Sequence, residues 1–287
     1  MTMARANSNG SVRQWRRTAQ AALPQWVKNW REAQYYLRYG EIELHLLEFL
    51  CTSDKDAIDV GAHDGCYVHF LKRFSRHVYA YEPIPWMAEA LRRKFAHGVT
   101  VKAEALSRSE GTGTLHVPMV RGSCVPGCAT ISDAAAALYD GAENVCVPVR
   151  TLDASFVGDA GFIKIDVEGH EEGVLDGAHG TIERCRPNLV VEAVERLAPG
   201  CVRRIAAFFR DHSYDGFFQH GWRLLPVERF EAASMQREED YPDLTATLAV
   251  RKRPPRFVYN FIYLPAESCE SLLPKLEHRL AHLAAGG

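Results

Sequence analysis

The stretch "AIDVGAHDG", residues 57–65, is a short apolar run that carries an acid, Asp59, near its end and then turns on two glycines four apart. A run of this length bounded by glycine reads as a buried strand, and the "CYVHFLKRF" that follows has helical spacing. Glycine at such a turn lets the chain reverse at positive φ and lets a ligand reach main-chain N–H groups that a Cβ would shield. Four further runs have the same character: "HVYAYE" (77–82), "VTVKAEA" (99–105), "FIKID" (162–166) and "LVVEAV" (189–194). Helical patterns such as "PWMAEALRRKFA" and "HEEGVLDGAHGTIERC" separate most of them. Strands apolar on both faces that alternate with helices imply a parallel sheet covered on each side, so the fold class is α/β, doubly wound. "YDGFFQHGWRLLPV" reads as a strand, a turn at His220-Gly221 and a second strand, and "RFVYNFIYLP" (256–265) as a late strand, which gives the sheet a mixed edge.

The chain has 287 residues, 47% hydrophobic and 24% charged, ordinary values for a globular protein. A net charge of −2, from 34 basic and 36 acidic residues, argues against a nucleic-acid partner. No apolar run is long enough to span a membrane, and "MTMARANSNGSVRQ" lacks the apolar region of a signal peptide, so the expected location is cytoplasmic. The eight cysteines show no repeated CxxC and are expected to be reduced. "CVPGC" (124–128) has the spacing of a zinc half-site, but no second half follows and no metal is expected there. Three segments emerge: an N-terminal helical extension (1–50) built from "SVRQWRRTAQAAL", "QWVKNWREAQYYLRY" and "EIELHLLEFL", the α/β domain (51–265), and a short helical tail (266–287).

The glycine turn lacks the G-x-G-x-x-G of a dinucleotide site. Asp59 would meet a pyrophosphate badly and an ammonium well. Glu82, closing the second strand before Pro83, sits where a carboxylate accepts ribose hydroxyls. Together they describe a nucleoside with a cationic amino-acid part and no phosphate, and S-adenosylmethionine fits. The plainer alternatives are a helix cap for Asp59 and a solvated strand end for Glu82. Glu104 and Ala105 finish the third strand, where the adenine edge would lie. Trp86 either stacks on adenine or packs in the core, and the core is the better reading.

"DVGAHDG", "YAYEPIP", "ALSRSEGTGTLHV", "VRTLDASF", "GFIKIDVEGHEEGVLDGA", "RPNLVVEAVE" and "VYNFIYLP" resemble, in that order, the FkbM-family methyltransferases. The resemblance covers roughly residues 41–265 and implies the seven-stranded, Rossmann-like class I methyltransferase sheet with S-adenosylmethionine at the carboxyl ends of its central strands. It departs at His63 and Asp64 of the turn, where many relatives have Asn and a small or apolar residue. "VVEAVE" also lacks the His that often follows its Glu. The expected cofactor set is Asp59, Gly61, Ala62, His63, Gly65, Glu82, Pro83, Glu104, Ala105 and Asp166.

In "FIKIDVEGHEEGVLDGA" (162–178), Glu171 and Glu172 are placed to meet the positive end of a helix dipole. Asp166 ends the strand expected beside that of Asp59, where a ligand crevice opens, and Glu168 and His170 follow on the loop above it. Asp166, Glu168 and His170 are therefore the expected catalytic residues. His170 is the best base by intrinsic pKa, and Asp166 would orient the acceptor hydroxyl or hold the cofactor's ammonium. A rival reading gives Asp166, Glu168 and Glu192 to a divalent cation. The Gly122–Asn144 segment is a substrate lid by position. The aromatic, basic N-terminal helices would pack on the sheet edge, close over the site or mediate a homo-oligomer. The expected reaction is O-methylation of a hydroxyl on a small polar metabolite, natural product or sugar; N- or carboxyl-methylation and a non-catalytic cofactor-binding scaffold are the alternatives.

Overall fold

The computed structural model describes residues 24–120, 122–240 and 257–286. The helix read in "SVRQWRRTAQAAL" and the side chain of Trp15 lie outside the described residues. "AIDV" extends by one residue into β1 (Asp56–Val60), buried along its whole length. Its partners are β2 (Val78–Tyr81) and β3 (Val99–Lys102) on one side and β8 (Ala160–Ile165) and β9 (Asn188–Glu192) on the other, all parallel. Strand β10 (Tyr214–His220) turns at Gly221-Trp222 into β11 (Arg223–Pro226), as the hairpin reading expects. The late strand β12 (Asn260–Pro265) inserts antiparallel between β9 and β10. The resulting order is β11-β10-β12-β9-β8-β1-β2-β3. Seven of these strands make the expected sheet; β11 adds an eighth at the edge, and the sheet is mixed, not purely parallel. The crossover reverses direction between β1 and β8, so their carboxyl ends open a crevice.

A second sheet was not expected. Strands β4 (Ala105–Leu106), β5 (Gly111–Val120), β6 (Ser123–Cys124) and β7 (Ala142–Arg150) pair in the order β4-β7-β5-β6. Along β7, Val147 and Val149 are buried while Cys146, Pro148 and Arg150 are exposed. This period-2 alternation packs one face of the β5–β7 ribbon on Ile84 and Ala105 and leaves the other to solvent. The third strand of the main sheet accordingly ends at Lys102, so Glu104 lies in the break between two sheets instead of finishing a strand.

The helix Gln25–Tyr39 ends at Gly40, and "EIELHLLEFL" splits into a 3₁₀ turn, Ile42–His45, and a short helix, Leu47–Leu50. The tail is a 21-residue helix, Ala266–Gly286, and it packs Leu276 and Leu280 with the Leu44–Leu50 cluster on one face of the sheet. The other face is covered by helices Glu171–Asp176, His179–Cys185 and Cys201–Asp211. No helix among the described residues is long and apolar enough to cross a membrane. All eight cysteines are free.

Phe209 stacks on Tyr263 at 3.9 Å between centroids, and both rings are completely buried. Phe209→Ala leaves a cavity there, and urea denaturation is expected to show a loss of roughly 3–5 kcal/mol. A loss below about 1 kcal/mol would mean that the helix Cys201–Asp211 is not clamped to β12 through this pair.

Candidate functional site

A cleft opens over the carboxyl ends of β1, β2 and β8 and is roofed by the ribbon. Of the expected residues, Asp59, Gly61, Ala62, His63, Glu82, Pro83, Glu104, Ala105, Asp166, Glu168 and His170 all line it. Gly65 does not. Its φ is +82° and a Cβ would press on the rings and methyls of Phe95 and Leu91, so this glycine serves helix packing. Gly61 has φ +83°, and a Cβ there would collide with the carbonyl oxygen of Asp166; the absent side chain lets β1 and the loop after β8 meet under the cleft. Trp86 takes neither role read for it: it is 47% exposed on the helix Pro85–Lys94 and does not line the cleft.

Register explains the floor. Asp59 pairs with Lys164 across β1 and β8, so both side chains leave the same face. Lys164 is 1% exposed; its Nζ donates to Asn260 Oδ1 at 2.9 Å, lies 3.5 Å from Asp166 Oδ2 and sits 5.2 Å from the Tyr67 ring centroid. Burial alone would strip its proton, yet Asp166, Glu41, Glu192 and Glu43 outweigh burial and hold the ammonium above its ordinary pKa. In return, burial raises Asp166, but Lys164, a hydrogen bond with Glu192 and the charge of His63 together outweigh it, so Asp166 stays below the usual carboxylate range. For Glu168 and Glu192, Lys164 is too weak an offset, and burial followed by repulsion from Asp166 drives both well above the usual range. Asp166, Glu168 and Glu192 bring one carboxylate oxygen each to within 4.8 Å of one another, the sole such group of three among the described residues.

Asp59 is 2% exposed, and burial, opposed by Lys164 and reinforced by Asp166, Glu41 and Glu82, pushes its carboxyl up to about 8. Its Oδ2 has no hydrogen-bond partner. A buried, unpaired carboxylate oxygen is costly unless something cationic or protonated meets it. Glu82 is better satisfied: Oε2 accepts the His63 N–H at 2.8 Å and Oε1 the Ile84 N–H at 2.9 Å, each oxygen keeps a second lone pair, and the residue lines the cleft. Burial still raises it. Glu104 accepts from Ser155 Oγ and stands 4.0 Å from Lys102 Nζ.

Two non-glycine residues at the cleft hold left-handed backbone, His63 at φ +46° and Glu168 at φ +54°. Such conformations persist only where neighbours impose them. For Glu168 the restraint is Glu171, whose Oε1 accepts the N–H groups of Val167 and Gly169 at 3.2 and 3.0 Å. Glu171 therefore does more than meet a helix dipole: it fixes the loop that presents Glu168. His170 faces a different direction, with Nε2 2.9 Å from Ser107 Oγ, and burial and Arg108 lower its pKa.

Several cleft residues escaped sequence reading: Glu41, Tyr67, Lys164, and Pro126, Gly127 and Ile131 of the expected lid. Lys164 carried a signal, a lysine inside a run expected to be buried on both faces. Glu41 carried none.

The Methyltransferase FkbM domain model matches residues 59–215, more than half of the chain. No curated protein matches it in sequence. Among solved structures, it is similar to methyltransferase FkbM from Methylobacillus flagellatus KT, with 17% identity, TM-score 0.44 and coverage of 73% of this chain. It spans only 43% of that protein's chain. An rRNA methylase from Streptococcus thermophilus aligns at 8% identity and TM-score 0.42 over 78% of this chain and 94% of its own. A phosphoethanolamine N-methyltransferase from Haemonchus contortus, solved with phosphoethanolamine and S-adenosylhomocysteine, aligns at 10% identity and TM-score 0.33 over 91% and 54%. On the family match, the chain belongs to the FkbM family of S-adenosylmethionine-dependent methyltransferases.

Proposed function

We propose that the chain transfers a methyl group from S-adenosylmethionine to a hydroxyl of a small polar acceptor, such as a sugar or natural product, with Glu168 as the base. The observation that carries this reading is the placement of Glu168: a carboxylate held by Glu171 at the cleft, raised well above its ordinary pKa and beside the ionised Asp166. The cofactor supplies an electrophilic methyl group on a sulfonium. Asp59, with its unpaired buried oxygen, suits the ammonium of such a ligand, and Glu82 has lone pairs for ribose hydroxyls. The ribbon's Pro126–Ile131 stretch covers the cleft and limits water.

A carboxylate raised toward neutrality is a stronger base than an ordinary one. Glu168 takes the acceptor's hydroxyl proton, and Asp166, held ionised beside Lys164, keeps the Glu168 carboxyl raised by its negative charge. His170, tied to Ser107, shapes the wall. Amine or carboxylate acceptors would need no such base. All twelve strands among the described residues fall within residues 51–265, which supports treating that stretch as the transferase domain with helical additions at 1–50 and 266–287.

A second reading has one observation in its favour. The converging oxygens of Asp166, Glu168 and Glu192 are within the span of a divalent cation's coordination shell, and a bound cation would acidify the hydroxyl directly.

Because the base must be ionised, turnover is expected to rise with pH through the raised pKa of Glu168 and to level off above it. Glu168→Gln should lower kcat by about 10²-fold or more and flatten that limb, with cofactor affinity within about twofold. A variant with full rate and an unchanged profile would remove Glu168 from the chemistry. Prolonged dialysis against EDTA is expected to leave turnover intact; loss restored by Mg²⁺ or Mn²⁺ would establish the metal-assisted reading instead.

A further inference from the structure

Two side chains from outside the matched segment 59–215 bear on the floor of the cleft, one by lining it and one by bonding to the lining residue Lys164. Glu41, which opens the turn Ile42–His45, lines the cleft directly. Its Oε2 accepts the Tyr67 hydroxyl at 2.6 Å and Asn260 Nδ2 at 2.8 Å, and Oε1 makes neither bond. Asn260, the first residue of β12, turns its other amide atom, Oδ1, to Lys164 Nζ at 2.9 Å. One amide therefore fixes both a carboxylate and an ammonium at the same end of the cleft. Since its two ends bond to opposite charges, its orientation is determined by its partners.

That end lies over β1 and β8, where Asp59 keeps an unpaired oxygen and is itself repelled by Glu41. Glu104 and Ala105, where a base would lie, follow β3, two strands and roughly 10 Å away at about 4.8 Å per strand. A nucleoside whose base reaches Glu104 directs its 5′ substituent to the end formed by Asp59 and Glu41. Two carboxylates that repel each other across a gap are matched there by a cation shared between them.

We propose that Glu41 is a cofactor-binding residue that takes the cationic amino-acid end of S-adenosylmethionine together with Asp59, and that Asn260 is a positioning residue that holds Glu41 and Lys164 for it. The inference rests on the cofactor reading given above and adds that the matched segment alone makes an incomplete site. The N-terminal turn and the last strand close it from opposite ends of the chain. The helix before Glu41 strengthens the closure: Tyr36 donates to Asp64, and Glu32 pairs with Lys94, which in turn donates to the Asp64 carbonyl at 2.6 Å.

The test uses full-length protein and two ligands, S-adenosylmethionine and 5′-methylthioadenosine, which keeps the nucleoside and sulfur but lacks the amino-acid end. By calorimetry, Glu41→Gln is expected to weaken the first by about tenfold or more and the second by less than about twofold, the bias of a lost charge-assisted contact. Glu41→Asp, which keeps the charge on a shorter arm and disturbs folding least, should show the same bias to a smaller degree. Asn260→Ala should also weaken S-adenosylmethionine selectively. Equal loss of both ligands in Glu41→Gln and Glu41→Asp, or loss of neither, overturns the inference and leaves the cofactor reading standing. Wild-type protein that binds methylthioadenosine and not S-adenosylmethionine overturns both.

Discussion

A single ammonium, Lys164 Nζ, is buried among carboxylates contributed by β1, β8, β9 and the N-terminal turn, and the character of the cleft depends on it. A lysine this deep is tolerated only with charged partners and filled hydrogen bonds. Asp166 and Asn260 supply them on one side and the face of Tyr67 on another. Because one cation cannot compensate every neighbouring acid, the acids divide. Asp166 keeps its charge, while Asp59, Glu168 and Glu192 are raised. The floor thus offers negative charge at one point and raised carboxyls at another, the two features on which the proposed methyl transfer rests.

The backbone sets these groups as firmly as the side chains do. Glycine at 61 lets the two central strands end against each other, and Glu171 holds the left-handed turn at Glu168. His63, also left-handed, donates its N–H to Glu82, so the motif turn and the second acidic strand end are one hydrogen-bonded unit. The Pro126–Gly127 turn of the ribbon comes down beside the His63 ring, which joins the roof to the floor.

The main sheet was legible because its strands are apolar on both faces and punctuated by glycine, and because "DVGAHDG" and "KIDVEG" put acids at strand ends where the crossover reverses. The ribbon was not read as a sheet, although "TLHV" and "VCVPV" alternate plainly. Their half-exposed period-2 pattern belongs to an antiparallel sheet, and the two runs flank the Gly122–Asn144 stretch read as a lid. The site was legible where function rides on local sequence: Asp59, Glu82, Asp166 and Glu168 all reach the cleft. It was illegible where geometry depends on distant partners. Glu41 meets Asn260 across 219 positions, and only the strand order brings them together. The preference for His170 followed intrinsic pKa, and sequence alone could not show that burial lowers this histidine while it raises Glu168.

The central claim is that Asp59, in the acid-rich floor, is protonated when no cation meets it and ionises to receive one. Asp59, raised to about 8, carries a proton at pH 6.5, and an ammonium beside it would draw that pKa down. Calorimetric titration of the full-length protein with S-adenosylmethionine at pH 6.5, in two buffers of different ionisation enthalpy, measures the protons exchanged. Release of up to about one proton per site, abolished in Asp59→Asn, is the predicted result. Binding with no proton release, or release undiminished in Asp59→Asn, would contradict it.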